Sequence, residues 1–258
     1  MQPNLNIIYI GGPTTLLEFS GARLLTDPTF DPAGGDYPSG AATLHKLAGP
    51  ALRADELGAF DYVLLSHDHH FDNLDRSGRE LLPKAKKVFT TTEGAQRLGG
   101  NGVGLKEWQS VELATSTGTL RLTATPARHG PQGLSRGAVL GFVLQDSNRP
   151  GEAIYISGDT VWYEGVGEVA RRFHPKIAIL HLGAARVPEV GRFHLTMTAE
   201  EAVLAAGELA EATIVPIHFE GWAHFSEGRA DIAMAFERAG IAGRLFWPKL
   251  GEPLQVEL

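Results

Sequence analysis

Asp61-Tyr62-Val63-Leu64-Leu65-Ser66-His67-Asp68-His69-His70-Phe71-Asp72-Asn73 joins a short apolar run to a cluster of imidazoles and carboxylates. The run from Asp61 to Leu65 reads as a buried strand. Three histidines and two aspartates then fall within six residues, where that strand runs out into a loop. Imidazole and carboxylate are the side chains that bind zinc, manganese or iron at neutral pH. The end of a buried strand also holds such ligands still. A polar, solvated loop could have the same composition, so the rest of the chain must decide between the two readings.

The pattern recurs downstream. Leu120–Thr125 reads as a strand and runs into Pro126-Ala127-Arg128-His129-Gly130. Ala138–Leu144 and Ala153–Ser157 read as paired strands about the turn Asp146-Ser147-Asn148-Arg149-Pro150, and the second ends at Gly158-Asp159-Thr160. Thr213-Ile214-Val215-Pro216-Ile217 is a strand that ends in His218. Five of the ten histidines (67, 69, 70, 129 and 218) therefore follow short apolar strands directly or within a few residues. Periodicity alone does not bring these loops together in space. His129, Asp159 and His218 each keep a bland alternative as a strand-end, turn or interior residue.

The remaining elements supply the frame. Leu5–Ile10, Thr14–Phe19 and Arg23–Thr26 read as a meander of strands with Gly11-Gly12-Pro13 and Ser20-Gly21 as its turns. Asp27-Pro28 ends it, either as turn chemistry or with a role near the site. Residues 31–60 are rich in Gly, Pro and Ala and read as a long loop, of the kind that is often functional, with a short helix near Arg53–Leu57. Leu74–Leu82 reads as a helix stopped by Pro83, Lys87–Thr90 as a strand, Glu93–Leu98 as a helix and Ser110–Leu113 as a strand. A glycine-rich loop follows at 130–137. Glu168–Phe173 is helical, and Ile177–Leu180 is a buried strand leading into His181-Leu182-Gly183. Thr198-Ala199-Glu200-Glu201 forms a capping box that starts an Ala-rich helix to about Ala210. Arg229–Ala239 is a helix stopped by Gly240, and Arg244–Trp247 is a last strand. Strands interleaved with helices in this order suggest two packed mixed sheets with helix layers outside, because apolar sheet faces must be covered.

Composition narrows the function classes. The chain has 258 residues, 43% of them hydrophobic and 21% charged, enough for a substantial core in one large domain or two small ones. There are 23 Lys+Arg against 30 Asp+Glu, a net charge of −7 without a basic block, which weighs against a nucleic-acid groove. No 18-residue apolar run and no basic-then-apolar leader is present, so neither a membrane span nor a secretory signal is expected. The chain has no cysteine, which excludes disulfides, thiolate ligands and a Cys nucleophile and fits a cytoplasmic protein. Any metal must be held by N and O ligands alone.

Leu65-Ser66-His67-Asp68-His69-His70-Phe71-Asp72-Asn73, with His129, Ser157-Gly158-Asp159-Thr160 and Pro216-Ile217-His218 downstream, resembles the metallo-β-lactamase superfamily. The branch it is most similar to is that of uncharacterised metal-dependent hydrolases related to ascorbate-6-phosphate lactonase. The resemblance covers essentially the whole chain and implies a single-domain αββα sandwich over residues 1–258, with two metals between the upper edges of its sheets. The family pattern is His-x-His-x-Asp-His. Without a gap, His67 and His69 match its leading histidines, but Phe71 falls on the aspartate. With one residue inserted, His67 keeps the first place and His70-Phe71-Asp72-Asn73 matches the remainder, with Asn73 replacing the last histidine. The second alignment retains Asp72 before a helix and is preferred; His69 then becomes a substitute ligand or a residue behind the ligands. On the resemblance, His67, His70 and His129 hold the first metal, Asp159 bridges, and Asp72 and His218 hold the second, weakened by Asn73.

Two divalent ions roughly 3.5–4 Å apart lower the pKa of a shared water and clamp attacking and leaving oxygens. The expectation is a metal-dependent hydrolase, with zinc or manganese as cofactor, acting on a small-molecule ester, lactone or phosphodiester. Asp72 would orient the hydroxide or protonate the leaving group. His224, close to His218 in sequence, would give a hydrogen bond to a substrate oxygen. Trp162-Tyr163-Glu164 and Trp222-Ala223-His224-Phe225 either wall the pocket or pack in the core. His181 and His194 read as structural or pocket residues, and His45 and His174 as surface ones. The alternatives are a catalytically silent metal-binding or scaffold protein, a nuclease of the same superfamily, and a diiron redox protein.

Overall fold

Among the described residues, fifteen strands and five α-helices are laid down so that the clustered histidines and Asp159 sit at the same edge of the two sheets. The structure, a computed structural model, describes residues 4–40, 42–134 and 136–258; Ala41 in the long N-terminal loop and Ser135 in the glycine-rich loop lie outside it. In chain order the strands are β1 (Asn4–Gly11), β2 (Thr14–Phe19), β3 (Ala22–Thr26), β4 (Asp36–Ser39), β5 (Ala42–His45), β6 (Tyr62–Leu64), β7 (Lys87–Thr91), β8 (Gly102–Leu105), β9 (Ser110–Ala114), β10 (Thr119–Pro126), β11 (Leu140–Asp146), β12 (Arg149–Ile156), β13 (Ile177–His181), β14 (Thr213–Ile217) and β15 (Pro253–Glu257). The helices are α1 (Arg76–Leu81), α2 (Thr92–Leu98), α3 (Glu164–Phe173), α4 (Ala199–Glu208) and α5 (Arg229–Arg238).

One sheet has the order β15-β1-β2-β3-β6-β7-β8 and the other β14-β13-β12-β11-β10-β9. Strict alternation of side chains assigns each residue to a layer. Along β6, Leu64 points between the sheets, while Val63 and the following Leu65 point to the outer face. Along β13, Ile177 and Ile179 point between the sheets, and Ala178 and Leu180 point outward. The outer face of the first sheet is covered by the segment carrying α1, through Leu74 and Leu81. That of the second is covered by α3, α4 and α5, through Val166, Val169, Ala202, Ala205, Ile232 and Phe236. The result is the αββα sandwich that the order of elements suggested.

Strand direction then places the ligands. β3 and β6 run parallel, so Asp27 and the histidine cluster leave the first sheet at one edge. β10 and β12 are both antiparallel to β11, and β12, β13 and β14 are mutually parallel. All four therefore deliver their carboxyl ends, with His129, Asp159, His181 and His218, to one edge of the second sheet. Open sheets commonly bind ligands beyond the carboxyl ends of parallel strands.

Four sequence expectations need correction. The loop at 31–60 contains the hairpin β4–β5, whose buried residues Tyr37, Ser39, Ala42 and Leu44 alternate about a turn at Gly40 (φ 63°). Residues 53–57 form a turn closed by Glu56 N–H to Arg53 C=O at 3.0 Å, not a helix, and Gly58 (φ 65°) ends it. Arg244–Trp247 is not a strand: Ala242–Arg244 is a 3₁₀ turn and only Leu245 bridges to Ile214. The last strand is β15, on the edge beside β1, and β8, rich in glycine, was also not anticipated.

One buried ion pair ties the hairpin segment to the sandwich. Asp75 caps α1 by accepting from Gly78 N–H, and it also accepts from Phe30 N–H, Asp31 N–H and Lys46 Nζ at 2.7–2.8 Å. The side chains of Lys46 and Asp75 are 3% and 0% exposed. Breaking such a pair from one side leaves a buried charge unpaired. Asp75→Ala is therefore expected to lower the unfolding free energy by about 3–5 kcal/mol in urea denaturation; a loss below about 1 kcal/mol, as for an exposed pair, would contradict this reading.

Candidate metal centre

The histidine loop is fixed at its start by Asp27. Its Oδ1 accepts from Ser66 N–H at 2.7 Å and from Ser66 Oγ at 2.9 Å. Burial pushes this carboxyl up to about 7, although His181 pulls the other way. Asp27 thus has a role at the site as well as in the turn. On the opposite sheet, Gly158 (φ 60°) turns the chain sharply out of β12: a Cβ there would lie 2.4 Å from Leu140 C=O. That turn sets Asp159 facing the histidines.

The first group is His67, His70 and His129, all buried, with ligand atoms within 4.8 Å of one another. His70 Nδ1 lies 3.0 Å from His67 Nε2 and 3.2 Å from His129 Nε2. Hydrogen-bond partners fix two tautomers. Ser66 Oγ spends its proton on Asp27, so it accepts from His67 Nδ1–H at 2.9 Å. Leu195 C=O accepts from His129 Nδ1–H at 2.9 Å. Both Nε2 atoms are then bare lone pairs, and one proton on His70 Nδ1 can satisfy only one of them. Burial holds His67 well below its usual pKa and His70 down to about 3, so an imidazolium does not resolve the conflict. Three nitrogens around a tetrahedral zinc at bonds of 2.0–2.1 Å would stand about 3.4 Å apart, close to the spacing seen.

The second group is Asp159, His181 and His218, again within 4.8 Å and fully buried. Asp159 Oδ1 lies 2.9 Å from His181 Nδ1 and 3.3 Å from His218 Nδ1. Its Oδ2 faces the first group, 3.8 Å from His129 Nε2. Burial alone would raise this carboxyl, but His218, His181, His129 and His67 hold it well below the usual range. Asp159 Oδ2, His181 Nε2 and both nitrogens of His218 are buried with no hydrogen-bond partner. Buried polar atoms are rarely left unmet, and each costs about 1–3 kcal/mol. A divalent cation in each group would satisfy lone pairs that no protein donor reaches, so the residues present fit the metals implied by the sequence pattern.

The other expected residues lie at varied distances from these groups. Asp72 Oδ2 accepts from His224 Nε2 at 3.0 Å and stands 3.8 Å from His218 Nε2, at the margin of the second group. His224 is therefore at the site, bonded to a carboxylate. Asn73 donates through Nδ2 to Asp159 Oδ1 at 3.3 Å and to Ser66 Oγ at 3.4 Å. His69 is a correction: it joins neither group, and its Nε2–H donates to Arg136 C=O at 2.8 Å. His181, left open as structural or pocket, is at the centre. The signal was available, because it follows the apolar run Ile177–Leu180 just as His218 follows its own strand. His194 pairs with Glu201 at 3.0 Å, away from both groups. His45 pairs with Asp36 on the surface, and His174 is exposed after α3. Trp162 and Tyr163 pack in the outer layer of the second sheet, whereas Trp222 is buried against Tyr37 and Leu44 beside the site.

A shallow pocket opens onto His70, Asp72, His129 and His224, with Leu44, Val187 and Leu195 on its walls. A wider groove near Thr91 and Val139 touches none of the clustered histidines, so size alone does not mark the site.

A family model described as "Beta-lactamase superfamily domain" matches residues 22–219. The chain is 24% identical over 257 residues to the UPF0173 protein YddR of Bacillus subtilis, covering 96% of this chain and 98% of that one. It is 29% identical over 185 residues to a UPF0173 metal-dependent hydrolase of Methanoregula boonei, covering 69% and 75%. Among solved structures it is similar to an isothiocyanate hydrolase from Delia radicum gut bacteria, with a TM-score of 0.82 and 25% identity over 98% of this chain and 100% of that one.

The buried histidines set a pH dependence for metal-stripped protein. In the folded state His70 is lowered to about 3 and His218 to about 4 by burial. Unfolded histidine titrates near 6.5. Between those values the unfolded chain binds more protons, so stability falls as pH falls. Each of these histidines contributes up to about 1.4 kcal/mol per pH unit below about 6.5. Asp27, raised to about 7 by burial, works in the opposite direction and offsets one histidine. Denaturation midpoints taken after chelation should therefore fall between about pH 6 and 4.5 by the remaining difference; midpoints that rise as pH falls would contradict the neutral assignment.

Proposed function

The chain belongs to the beta-lactamase superfamily, and on that premise we propose that it is a single-domain, metal-dependent hydrolase of a small ester, lactone or phosphodiester. The observation that carries this reading is Asp159: it groups with His181 and His218, while its Oδ2, buried without a hydrogen-bond partner, faces His129 of the other histidine group at 3.8 Å. His67, His70 and His129 would hold one ion, and His181 and His218 the other, with one Asp159 oxygen turned to each. The donor set is nitrogen and oxygen only, which suits zinc or manganese. Bound divalent ions would supply Lewis-acid polarisation and an activated water at neutral pH.

The protein's own residues do the rest. His181 supplies the imidazole that Asn73 cannot, and Asn73 orients Asp159 through its amide. Asp72 presents an ionised carboxylate on the pocket wall, where it can accept a hydrogen bond from the attacking water and orient it. Its hydrogen bond to His224 keeps it ionised and aimed. The acidic balance, a net charge of −7 without a basic block, disfavours the nuclease reading. Among the described residues no helix is long and apolar enough to cross a membrane; a cytoplasmic setting fits a chain without cysteine. A second reading, hydrolysis of an isothiocyanate, draws on the similar solved structure and on the aliphatic walls at Leu44, Val187 and Leu195.

Elemental analysis with an ester, lactone, phosphodiester and isothiocyanate panel tests the proposal. Wild type should carry about two equivalents of metal, as binuclear hydrolases do. His129→Ala and His181→Ala should each lose about one and cut turnover by about 100-fold or more. Folded protein that takes up no metal would refute the reading. Full metal content with no turnover on the whole panel would favour a silent metal-binding protein.

A further inference from the structure

Arg136 lines the same pocket as His70, Asp72 and His224. Its backbone N–H bonds to His129 C=O at 3.0 Å, which turns the loop back over the first histidine group. On the other side its C=O accepts from His69 Nε2–H. Gly137 (φ 110°) permits that approach, since a Cβ there would come within 2.6 Å of the His69 ring nitrogen. His69 thus acts as a strut for the Arg136 loop, which accounts for a histidine placed between two ligands yet outside both groups.

The guanidinium held this way is short of partners. Its one hydrogen bond among the described residues is from Nη2 to Ser39 Oγ, at a long 3.4 Å. Nε is buried with no partner, and no described carboxylate lies within 4.0 Å of the group. An arginine carries five donors in a planar fork that matches a carboxylate, and the Nε donor, removed from water and left unmet, is costly here. The pocket between this fork and the ligand histidines is small and has aliphatic walls.

Building on the hydrolase reading, we propose that Arg136 binds a carboxylate of the substrate. The substrate class is then a small aliphatic acid whose hydrolysable bond lies a few bonds from its carboxylate. Arg136 is a binding and specificity residue, and His69 is a positioning residue for it.

The test uses butyrate and its neutral counterpart butyramide as probes on zinc-loaded protein, read by calorimetric titration beside metal content. Butyrate should bind at least about tenfold more tightly than butyramide. Arg136→Gln should lose about that factor for butyrate with metal content unchanged, and Arg136→Lys should fall between. His69→Ala should also keep its metal while weakening butyrate. Equal binding of butyrate by wild type and R136Q would show the metals alone taking the carboxylate and would overturn the proposal. So would equal affinity for the two probes, or no binding of butyrate at millimolar concentration. If R136Q does not fold, R136K and the wild-type ratio of the two probes decide the same point. Protein that takes up no zinc would instead sink the hydrolase reading, while the comparison of wild type with R136Q would still decide whether an anion site exists.

Discussion

The carboxylate of Asp159 is the group on which the rest of the site depends. It is fully buried, its pKa is held well below the usual carboxylate range, and it accepts hydrogen bonds from His181 Nδ1–H and the Asn73 amide. An isolated carboxylate in such a place would protonate or drive local rearrangement. Here one oxygen faces His181 and His218 and the other faces His129. This arrangement requires that β10, β12, β13 and β14 point the same way, that a glycine precede Asp159, and that the histidine loop of the first sheet meet them. The αββα sandwich satisfies all three because its two sheets share one open edge.

The hairpin β4–β5 forms a wall beside that edge. Tyr37, Leu44 and Trp222 pack with Ala185, Val187 and Leu195, bringing segments distant in sequence together beside the pocket. The Lys46–Asp75 pair and the hydrogen bonds of Asp75 to the 30–31 backbone anchor this layer to α1. A small pocket with fixed walls follows from this cross-bracing.

Much of this was legible in the chain. Alternating apolar residues gave the strands, and ligand-type residues at strand ends gave His67, His70, His129, Asp159 and His218, which meet in space. What failed has physical causes. His69 and His70 are adjacent in an irregular loop, where no period fixes which ring points inward; contact with Arg136, 67 residues away, decides it. His181 follows the same strand-end rule as the others, but its contact with Asp159 comes from the parallel pairing of β12 with β13, which periodicity does not give. β8 and β15 were missed because edge strands bury only part of their side chains and carry glycine or proline. The hairpin within 31–60 was hidden because its buried face packs on loops rather than on a sheet.

The most direct test of the account is a crystal structure of zinc-loaded protein with anomalous maps at the zinc edge. The account predicts two peaks roughly 3.5–4 Å apart, as in two-metal sites. One should be bonded to His67, His70 and His129, the other to His181 and His218, with Asp159 reaching both. A single peak, or a second peak bonded to His69 or Asn73 while His181 stands free, would contradict it.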